Sequence, residues 1–319
     1  MNYKQNQTLK IGYTYGDLTG IGPEIFQKFF FATRNHPNLE IILIDDENEV
    51  KNLQEKITIG QPCPYSGGHA YKTLKRASEL LCNKELDYLI TGPVAKESLW
   101  LAGIEYSGQT ELLASINGLT KDDIEMFFLL DDFRIVLATR HVALKDVPQE
   151  LSRRLKKVFS NSTNGLKNIF KISEPKIAVA GLNPHAGENG LIGDEEKKIM
   201  RPIIEELLKE SKQTTNSQIQ ISGPLAADAL LADAAQKYLK NQKLDYDLYV
   251  TAYHDQALPL IKGLGGFRAI NLTVGLPFLR LSVDHGTGFD IVGKNLASPE
   301  ALKACTDYCF KLKDLEITK

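Results

Sequence analysis

The sequence has few of the features that mark secreted or membrane proteins. It contains four cysteines and one tryptophan in 319 residues, and no stretch approaches the roughly 18 apolar residues of a membrane span. The cysteines form no paired short-spacing pattern, which argues against a disulfide framework; they are Cys63, Cys82, Cys305 and Cys309. The N-terminal stretch also lacks an apolar signal region. We therefore expect a soluble, cytoplasmic protein with reduced thiols.

The charge balance shows no excess of one sign. Lysine and arginine together number 38, aspartate and glutamate 40, and neither sign is concentrated in one part of the chain. A nucleic-acid or membrane partner is therefore not indicated. The length predicts about two domains, or one large one, able to bury a core without covalent staples.

Apolar runs alternate with amphipathic stretches along the chain. The runs "KIGYTYGD", "LEIILID", "YLITGPV", "FRIVLAT", "PKIAVAGLN" and "YDLYVTAYHD" are typical of strands, and "GPEIFQKFFFAT" and "YKTLKRASELLCNKELD" of helices. Strands that alternate with helices predict an α/β fold with a largely parallel sheet. In such sheets, ligands bind outside the carboxyl ends of the strands.

Three of the six histidines stand just past a predicted strand: His141, His185 and His254. Neutral imidazole is the commonest metal ligand, and three of them leave a coordination position for substrate or water. Their spacing lacks the i, i+4 pairing of a helix-borne zinc motif, so metal binding and a structural role both stay open at this point. His36 and His69 lie in polar stretches, where we expect exposed loop residues.

The segment from 249 to 286 also carries candidates for anion binding. Lys262, Asn271 and Arg280 lie in apolar or glycine-rich runs. A lysine offers a point charge and an arginine a planar fork of donors for phosphate or carboxylate. A buried cation is costly without a partner, and an anionic ligand could be that partner. Pairing with a nearby carboxylate is the alternative.

Two glycine-rich loops precede helical stretches. "GDLTGIGPE" follows the first strand without the spacing of the dinucleotide fingerprint, so a tight strand-to-helix turn explains it equally well. "NPHAGENGLIGDEE" ends in Asp194, Glu195 and Glu196, which suit the first turn of the next helix and which we interpret as structural.

Several of these stretches, in order, resemble the 4-hydroxythreonine-4-phosphate dehydrogenases of pyridoxal phosphate biosynthesis. They are "GDLTGIGPEI", "TGPVAKESL", "GLNPHAGENGLIGDEE", "GPLAADALL", "YHDQALPLIK" and "INLTVGLPFLRLSVDHGT". The resemblance implies an isocitrate/isopropylmalate-dehydrogenase-like fold, with two α/β domains flanking a cleft. We expect a cofactor-side domain near 1–105 plus 275–319, and a metal, substrate and dimerisation domain near 106–274. It also implies a homodimer with the active site at the subunit interface.

The resemblance also assigns roles to residues. It implies metal ligation by His141, His185 and His254, with one histidine of each site from the neighbouring subunit. It implies substrate contacts from Gln109, Thr110, Lys262, Asn271 and Arg280. The proton acceptor stays open between Lys262 and Asp228.

Two positions depart from the family pattern. Gln109 stands where the family has a histidine, and glutamine can share hydrogen bonds but cannot become cationic. If that histidine binds phosphate, Gln109 can partly replace it, but a role in proton transfer would be lost. Arg140 replaces a smaller residue before His141, and it would repel a metal unless it points away or meets the substrate phosphate.

The implied reaction is oxidation of 4-phosphohydroxy-L-threonine by NAD to 2-amino-3-oxo-4-phosphooxybutanoate, which decarboxylates to 3-amino-2-oxopropyl phosphate. One divalent metal per site, such as zinc, magnesium or cobalt, would assist.

The loop after "SVDHGT" looks like the adenosine-binding loop of isopropylmalate dehydrogenases. It matches at His285, Gly286 and Asp290, so we expect NAD rather than NADP, with Asp290 near the ribose. Asp290 as a helix cap or an exposed loop residue is the alternative.

Two other functions stay open. One is a related dehydrogenase of another four-carbon phosphate, threonate or erythronate 4-phosphate, which Gln109 leaves possible. The other is a metal-dependent hydrolase or isomerase that uses the three histidines without NAD.

Overall fold

The computed structural model describes residues 8–213 and 219–317. In that part of the chain the strands are β1 (Leu9–Thr14), β2 (Leu39–Leu43), β3 (Tyr88–Thr91), β4 (Glu125–Leu130), β5 (Phe133–Leu137), β6 (Lys176–Ala180), β7 (Gln220–Leu225), β8 (Leu248–Thr251), β9 (Ile270–Val274) and β10 (Arg280–Val283). The α-helices are α1 (Gly22–Thr33), α2 (Glu47–Gln54), α3 (Pro64–Cys82), α4 (Lys96–Leu101), α5 (Gln109–Ile116), α6 (Val147–Asn168), α7 (Arg201–Gln213), α8 (Ala227–Leu239), α9 (His254–Gly265) and α10 (Glu300–Ile317).

The described residues form two compact units, one from 8–124 with 270–317 and the other from 125–213 with 219–269. The sequence had placed the divisions near residues 105 and 275. The cofactor and substrate roles expected for the two domains stay predictions.

The first unit contains strands in the order β2-β1-β3-β10-β9. All neighbours run parallel except β9 and β10, which are antiparallel. Helix α1 begins with Pro23 in its first turn and buries Ile25, Phe26 and Phe29, a spacing that places them on one face of the helix. This helix has the bounds predicted from the sequence.

The second unit contains strands in the order β4-β5-β8-β6-β7. Only the β4–β5 hairpin is antiparallel. Helices α8 and α9 cover one face, where Leu231 and Leu258 belong to a cluster with Tyr249 of β8. Alternate strand residues face the other side, where Phe127 stacks on Phe170, just beyond α6. Helix α7 packs against α6 and β7. The expected α/β fold with a largely parallel sheet is confirmed.

Helix α3 begins earlier than the sequence indicated. "SGGHAY" was interpreted as a loop, but these residues are helical. A Cβ on Gly67 would lie 1.9 Å from the carbonyl oxygen of Ser98, so this glycine allows α3 to pack closely on α4 rather than breaking the helix. His69 is consequently buried, and its expected exposure was wrong.

No helix in the ranges described is both long and apolar enough to cross a lipid bilayer.

Candidate active site

The strand topology of the second unit predicts a ligand-binding crevice at the carboxyl ends of β6 and β8. Strands β6 and β8 are parallel neighbours, but the helices that follow them, α7 and α9, lie on opposite faces of the sheet. Such a switch point is where open α/β sheets bind ligands, outside the carboxyl ends of the strands. His185 follows β6 and His254 follows β8, so both histidines stand at this position.

His141 and His254 lie close together. Their ring centroids are 5.6 Å apart, and both line a cavity of about 330 Å³ with Tyr253 and Asp255. His254 Nδ1 lies 2.6 Å from Asp255 Oδ1, which fixes the ring and leaves Nε2 for a ligand. His141 has a φ of 52°, an unusual conformation outside glycine that is frequent at functional sites.

His185 stands in a strained loop. Residues His185 to Asn189 all have positive φ values, between 43° and 77°, a left-handed turn that costs roughly 1–2 kcal/mol per non-glycine residue. Asn183 anchors the loop: its backbone N–H donates to Glu196 at 2.7 Å, and its Nδ2 donates to Glu195 at 2.6 Å and Glu196 at 2.9 Å. Glu195 and Glu196 therefore hold the loop that carries His185. The sequence had indicated only that they lie in the first turn of a helix.

The histidine pair fits a metal ion, but the third ligand is not brought to it. Two imidazoles that share an ion through bonds of about 2.0–2.1 Å place their ring centroids roughly 5–6 Å apart, and His141 with His254 meets this condition. Across residues 8–213 and 219–317, no three histidine, cysteine or acidic side chains gather as a metal-binding group. His185 is exposed and does not line the cavity of the other two.

In the first unit, Arg280 is completely buried. Its guanidinium donates only to hydroxyls: to Thr91 at 2.6 and 3.0 Å, to Thr110 at 3.0 Å and to Thr273 at 3.1 Å. Burial lowers the pKa of Arg280 to about 10. Among the residues with described placement, no carboxylate forms an ion pair with it. A buried cation surrounded by neutral hydroxyls favours an anionic ligand.

A row of buried polar residues crosses the strands beside Arg280. Thr14 pairs with Thr91, Thr91 with Ser282, and Ser282 with Asn271, so all four face the same side of the sheet. The Oγ1 of Thr14 and the Oδ1 of Asn271 are buried without a hydrogen-bond partner within the described parts of the chain. These acceptors are suited to a ligand that carries hydroxyl or ammonium donors.

Gln109 begins helix α5 beside Thr110. Its Nε2 donates to the carbonyl oxygen of Gly92 at 3.3 Å, which fixes the amide orientation because a carbonyl can only accept. The Oε1 is buried and has no partner in the ranges that the structure covers. Gln109 thus offers a hydrogen-bond acceptor where a cationic histidine could only donate.

The other expected residues are more exposed. The expectation of a cation in apolar surroundings was wrong for Lys262, which lies exposed in the last turn of α9, whereas Arg280 is buried among hydroxyls. Asp228 is exposed in the first turn of α8. Asp290 is exposed, and its carbonyl oxygen accepts from Lys294 at 2.7 Å. His285 Nδ1 lies 3.0 Å from the carbonyl oxygen of the adjacent Gly286.

Arg140, the second departure, interacts electrostatically with Glu125. Glu125 is buried, and both its carboxylate oxygens accept from Arg154, at 3.1 and 3.0 Å. Burial raises the pKa of Glu125, and the charges of Arg154 and Arg140 partly offset that effect. Arg140 therefore interacts with a buried carboxylate of the second unit that it shares with Arg154.

Sequence reasoning missed a second buried ionisable cluster. His69 Nε2 lies 2.8 Å from Asp45 Oδ1, and its Nδ1 lies 3.4 Å from Glu49 Oε2. Burial alone would lower the pKa of His69, but the hydrogen bond and charge of Asp45, with Glu49, outweigh it and raise the pKa. The helical spacing of apolar residues in α3 could have indicated that this histidine faces inward.

Comparison with known proteins identifies the family. The model of the pyridoxal phosphate biosynthetic protein PdxA family matches residues 23–309. The chain belongs to the PdxA family. A 4-hydroxythreonine-4-phosphate dehydrogenase from Zymomonas mobilis is 35% identical, with 92% of each protein covered. One from Sulfurihydrogenibium is also 35% identical, over 96% of this chain and 98% of the relative.

Solved structures agree with the family assignment. A 4-hydroxythreonine-4-phosphate dehydrogenase from Klebsiella pneumoniae superimposes with a TM-score of 0.78 at 28% identity, covering 97% of this chain and 99% of that one. A terephthalate 1,2-cis-dihydrodiol dehydrogenase from Burkholderia xenovorans gives a TM-score of 0.61 at 24% identity, covering 95% and 98%. The latter likeness concerns the fold alone.

Proposed function

We propose that this PdxA-family protein is a 4-hydroxythreonine-4-phosphate dehydrogenase. It oxidises 4-phosphohydroxy-L-threonine with NAD, and the oxidised product loses carbon dioxide to give 3-amino-2-oxopropyl phosphate for pyridoxal phosphate biosynthesis. The names of relatives 35% identical over more than nine-tenths of the chain support this reaction. The observation that carries it is Arg280, a buried guanidinium that contacts only hydroxyl groups.

The substrate phosphate supplies the negative charge that pairs with the Arg280 guanidinium. The guanidinium is held by Thr91, Thr110 and Thr273, so its orientation is set before the ligand binds. A preorganised arginine loses less side-chain entropy when it forms a charged hydrogen bond, and one of its five N–H groups stays available for a phosphate oxygen. Asn271 and Gln109 add hydrogen bonds to the substrate through their unpaired oxygens.

A divalent metal is bound by His141 and His254, with His185 as the third ligand. Bound there, the metal supplies Lewis-acid polarisation of the substrate hydroxyl. Asp255 holds the ring of His254 through its Nδ1 and so favours the tautomer that leaves Nε2 free to ligate. Lys262 or Asp228 accepts the hydroxyl proton.

The third ligand comes from a second copy of the chain in a homodimer. Exposed apolar side chains flank both histidine loops: Val142 and Leu144 follow His141, and Leu191 and Ile192 follow His185. Leu144 is 66% and Leu191 85% exposed. Exposed apolar groups at a loop that carries a ligand favour a protein interface.

NAD binds the loop that contains His285, Gly286 and Asp290. Ile21 N–H donates to the carbonyl oxygen of Thr287 at 2.8 Å, and a Cβ on Gly20 would lie 2.6 Å from the same oxygen. The glycine-rich loop after β1 therefore supports the presumed adenosine loop. Asp290 is exposed and accessible to a ribose.

D-threonate 4-phosphate is the second candidate substrate. A protein from Oceanobacillus iheyensis, named provisionally as a D-threonate 4-phosphate dehydrogenase, is 33% identical over 92% of this chain. Gln109 leaves this alternative open, since its unpaired Oε1 accepts a hydroxyl donor as readily as an ammonium. The two substrates share the phosphate and differ in the group at the second carbon.

The test is to follow NADH formation from 4-phosphohydroxythreonine, D-threonate 4-phosphate and unphosphorylated 4-hydroxythreonine. Each substrate is assayed with chelator-treated enzyme, before and after adding zinc, magnesium or cobalt. We expect metal-dependent NADH formation with the first substrate and little with the unphosphorylated one. Preference for the threonate would establish the second candidate. Turnover of a metal-loaded enzyme without NAD would instead indicate a hydrolase or isomerase.

A further inference from the structure

The ladder between β6 and β8 ends where the histidine loops begin. Its last register pair is Val179 with Val250. Continued in register, the ladder would bring Ala180 opposite Thr251 and then Gly181 opposite Ala252. Instead, each strand bonds outward at this level: Gly181 N–H donates to Leu225 at 2.7 Å, and the Ala252 carbonyl oxygen accepts from Thr139.

The carboxamide of Gln256 fills this gap. Its Oε1 accepts from Ala252 N–H at 2.7 Å, and its Nε2 donates to the carbonyl oxygen of Gly181 at 2.7 Å. The side-chain amide thus takes the place of a peptide group between two diverging strands. Both bonds are short, and they use the acceptor and a donor of the amide at the same time.

This bridge extends to the third histidine loop. Thr139 donates to the carbonyl oxygen of Ala252 through its Oγ1 at 2.8 Å and its N–H at 3.2 Å. Each bonded residue lies shortly before a histidine. Thr139 is two residues before His141, Ala252 is two before His254, and Gly181 is four before His185. One continuous hydrogen-bond chain therefore joins the roots of all three loops.

We propose that Gln256 is a positioning residue whose carboxamide holds the His185 and His254 loops in the arrangement that metal binding requires. The inference rests on the proposed metal-dependent function, and the role concerns residues that hold the ligands rather than the ligands themselves. Outer partners of this kind typically change metal affinity or activity by about 10–100-fold.

A helix cap is the competing explanation. Gln256 lies in the first turn of α9, and a glutamine or glutamate at the third position of a helix commonly reaches back to a backbone N–H. A cap needs only the acceptor oxygen. The bond from Nε2 to Gly181, on a neighbouring strand, serves no capping purpose.

Two substitutions separate these roles. Gln256→Met keeps the length and helix propensity and removes both bonds. Gln256→Glu keeps the capping acceptor, but an ionised carboxylate cannot donate to Gly181. Tyr238→Phe is the matched control, because it removes a 2.8 Å hydrogen bond to Asp131 elsewhere in the second unit.

The experiment measures hydrogen exchange in the metal-free, full-length protein, and then zinc affinity by competition with a chromophoric chelator. We expect both Gln256 variants to speed exchange about tenfold or more in residues 181–190, and Gln256→Met to do so in residues 252–254 as well. We also expect them to weaken zinc binding about 10–100-fold. Tyr238→Phe should change neither quantity.

Three results would overturn the inference. Gln256→Glu could match the wild type, which would reduce the residue to a helix cap. Exchange could rise while zinc affinity stays constant, which would make the bridge purely structural. Exchange could also stay unchanged in both variants. If the wild type itself binds no zinc or cobalt, the proposed function loses its metal, while the exchange result still decides whether the bridge holds the loops.

Discussion

The guanidinium Nη1 of Arg280 donates a 3.0 Å hydrogen bond to the hydroxyl of Thr110, 170 residues away in sequence. This contact joins the start of α5 to strand β10, which carries the buried Arg280. Because the hydroxyls orient the guanidinium without neutralising it, we expect Arg280 to contribute most of the free energy of anion binding.

Replacing Arg280 by lysine should therefore damage the enzyme. A lost charged hydrogen bond costs about 1.5–3 kcal/mol, or roughly ten- to a hundredfold in kcat/KM. Lysine keeps the charge but not the planar guanidinium that the threonine hydroxyls orient toward the phosphate. The measurement is kcat/KM with phosphorylated substrate, together with the affinity for inorganic phosphate by calorimetry. Arg134→Lys, at a buried arginine of the second unit, is the control, and an unphosphorylated substrate that reacts equally well would refute the assignment.

Hybrid dimers test the origin of the metal ligands. His185→Ala and His254→Ala proteins should each be inactive, because each lacks one ligand. If these two ligands of one site come from different subunits, every hybrid dimer regains one intact site. An equal mixture should then recover about a quarter of wild-type activity. The absence of recovery after verified subunit exchange would place all ligands of a site in one chain.

The stability contributed by His69 should depend on pH. The pKa of His69 is raised in the folded protein because its bonds to Asp45 and Glu49 outweigh burial. A raised folded-state pKa means that the stabilisation is fully present below the unfolded value of about 6.5 and is lost as pH rises through the folded value. Urea unfolding of wild type and His69→Gln should therefore differ more near pH 6 than near pH 9. A difference independent of pH would show that the imidazole contributes through packing alone.

Cofactor preference tests the loop around Asp290. A carboxylate that accepts from the ribose hydroxyls repels a 2′-phosphate, so the wild type should prefer NAD to NADP. Asp290→Ala should lower the ratio of kcat/KM with NAD to kcat/KM with NADP. A basic replacement should lower this ratio further or invert the preference. Asp314→Ala, on α10, serves as a charge-matched control. An unchanged ratio would show that Asp290 does not contact the ribose.

The alternating pattern predicted the fold class because parallel strands are continuous apolar runs with polar residues at their ends. It located β1, β2, β3, β5, β6 and β8, and with them the positions of His141, His185 and His254. It did not predict β4, β7, β9 or β10. Strand β7 carries Gly223 and Pro224, and β10 begins with Arg280, so tertiary pairing rather than local propensity makes these two segments strands.

The surroundings of Arg280 could not be predicted in the same way. Whether a buried arginine meets a carboxylate or only hydroxyls depends on which side chains converge from positions 91, 110 and 273. The resemblance indicated an anion-binding role for Arg280, but only the fold provides the physical reason. His69 was misplaced because the polar stretch around it was interpreted as a loop, whereas Gly67 in that stretch permits close helix packing.

Because the first unit is built from two separate stretches of chain, its sheet can be completed only late in translation. Strand β3 is complete early, but its neighbour β10 lies beyond residues 125–269 and is the last strand to be made. At about 5–20 residues per second, the ribosome needs on the order of ten seconds or more to reach it. Until then β3 has an unpaired edge, a ready template for pairing with other chains. Fast folding of the inserted second unit, which shortens the distance between the two stretches, would limit that exposure during translation.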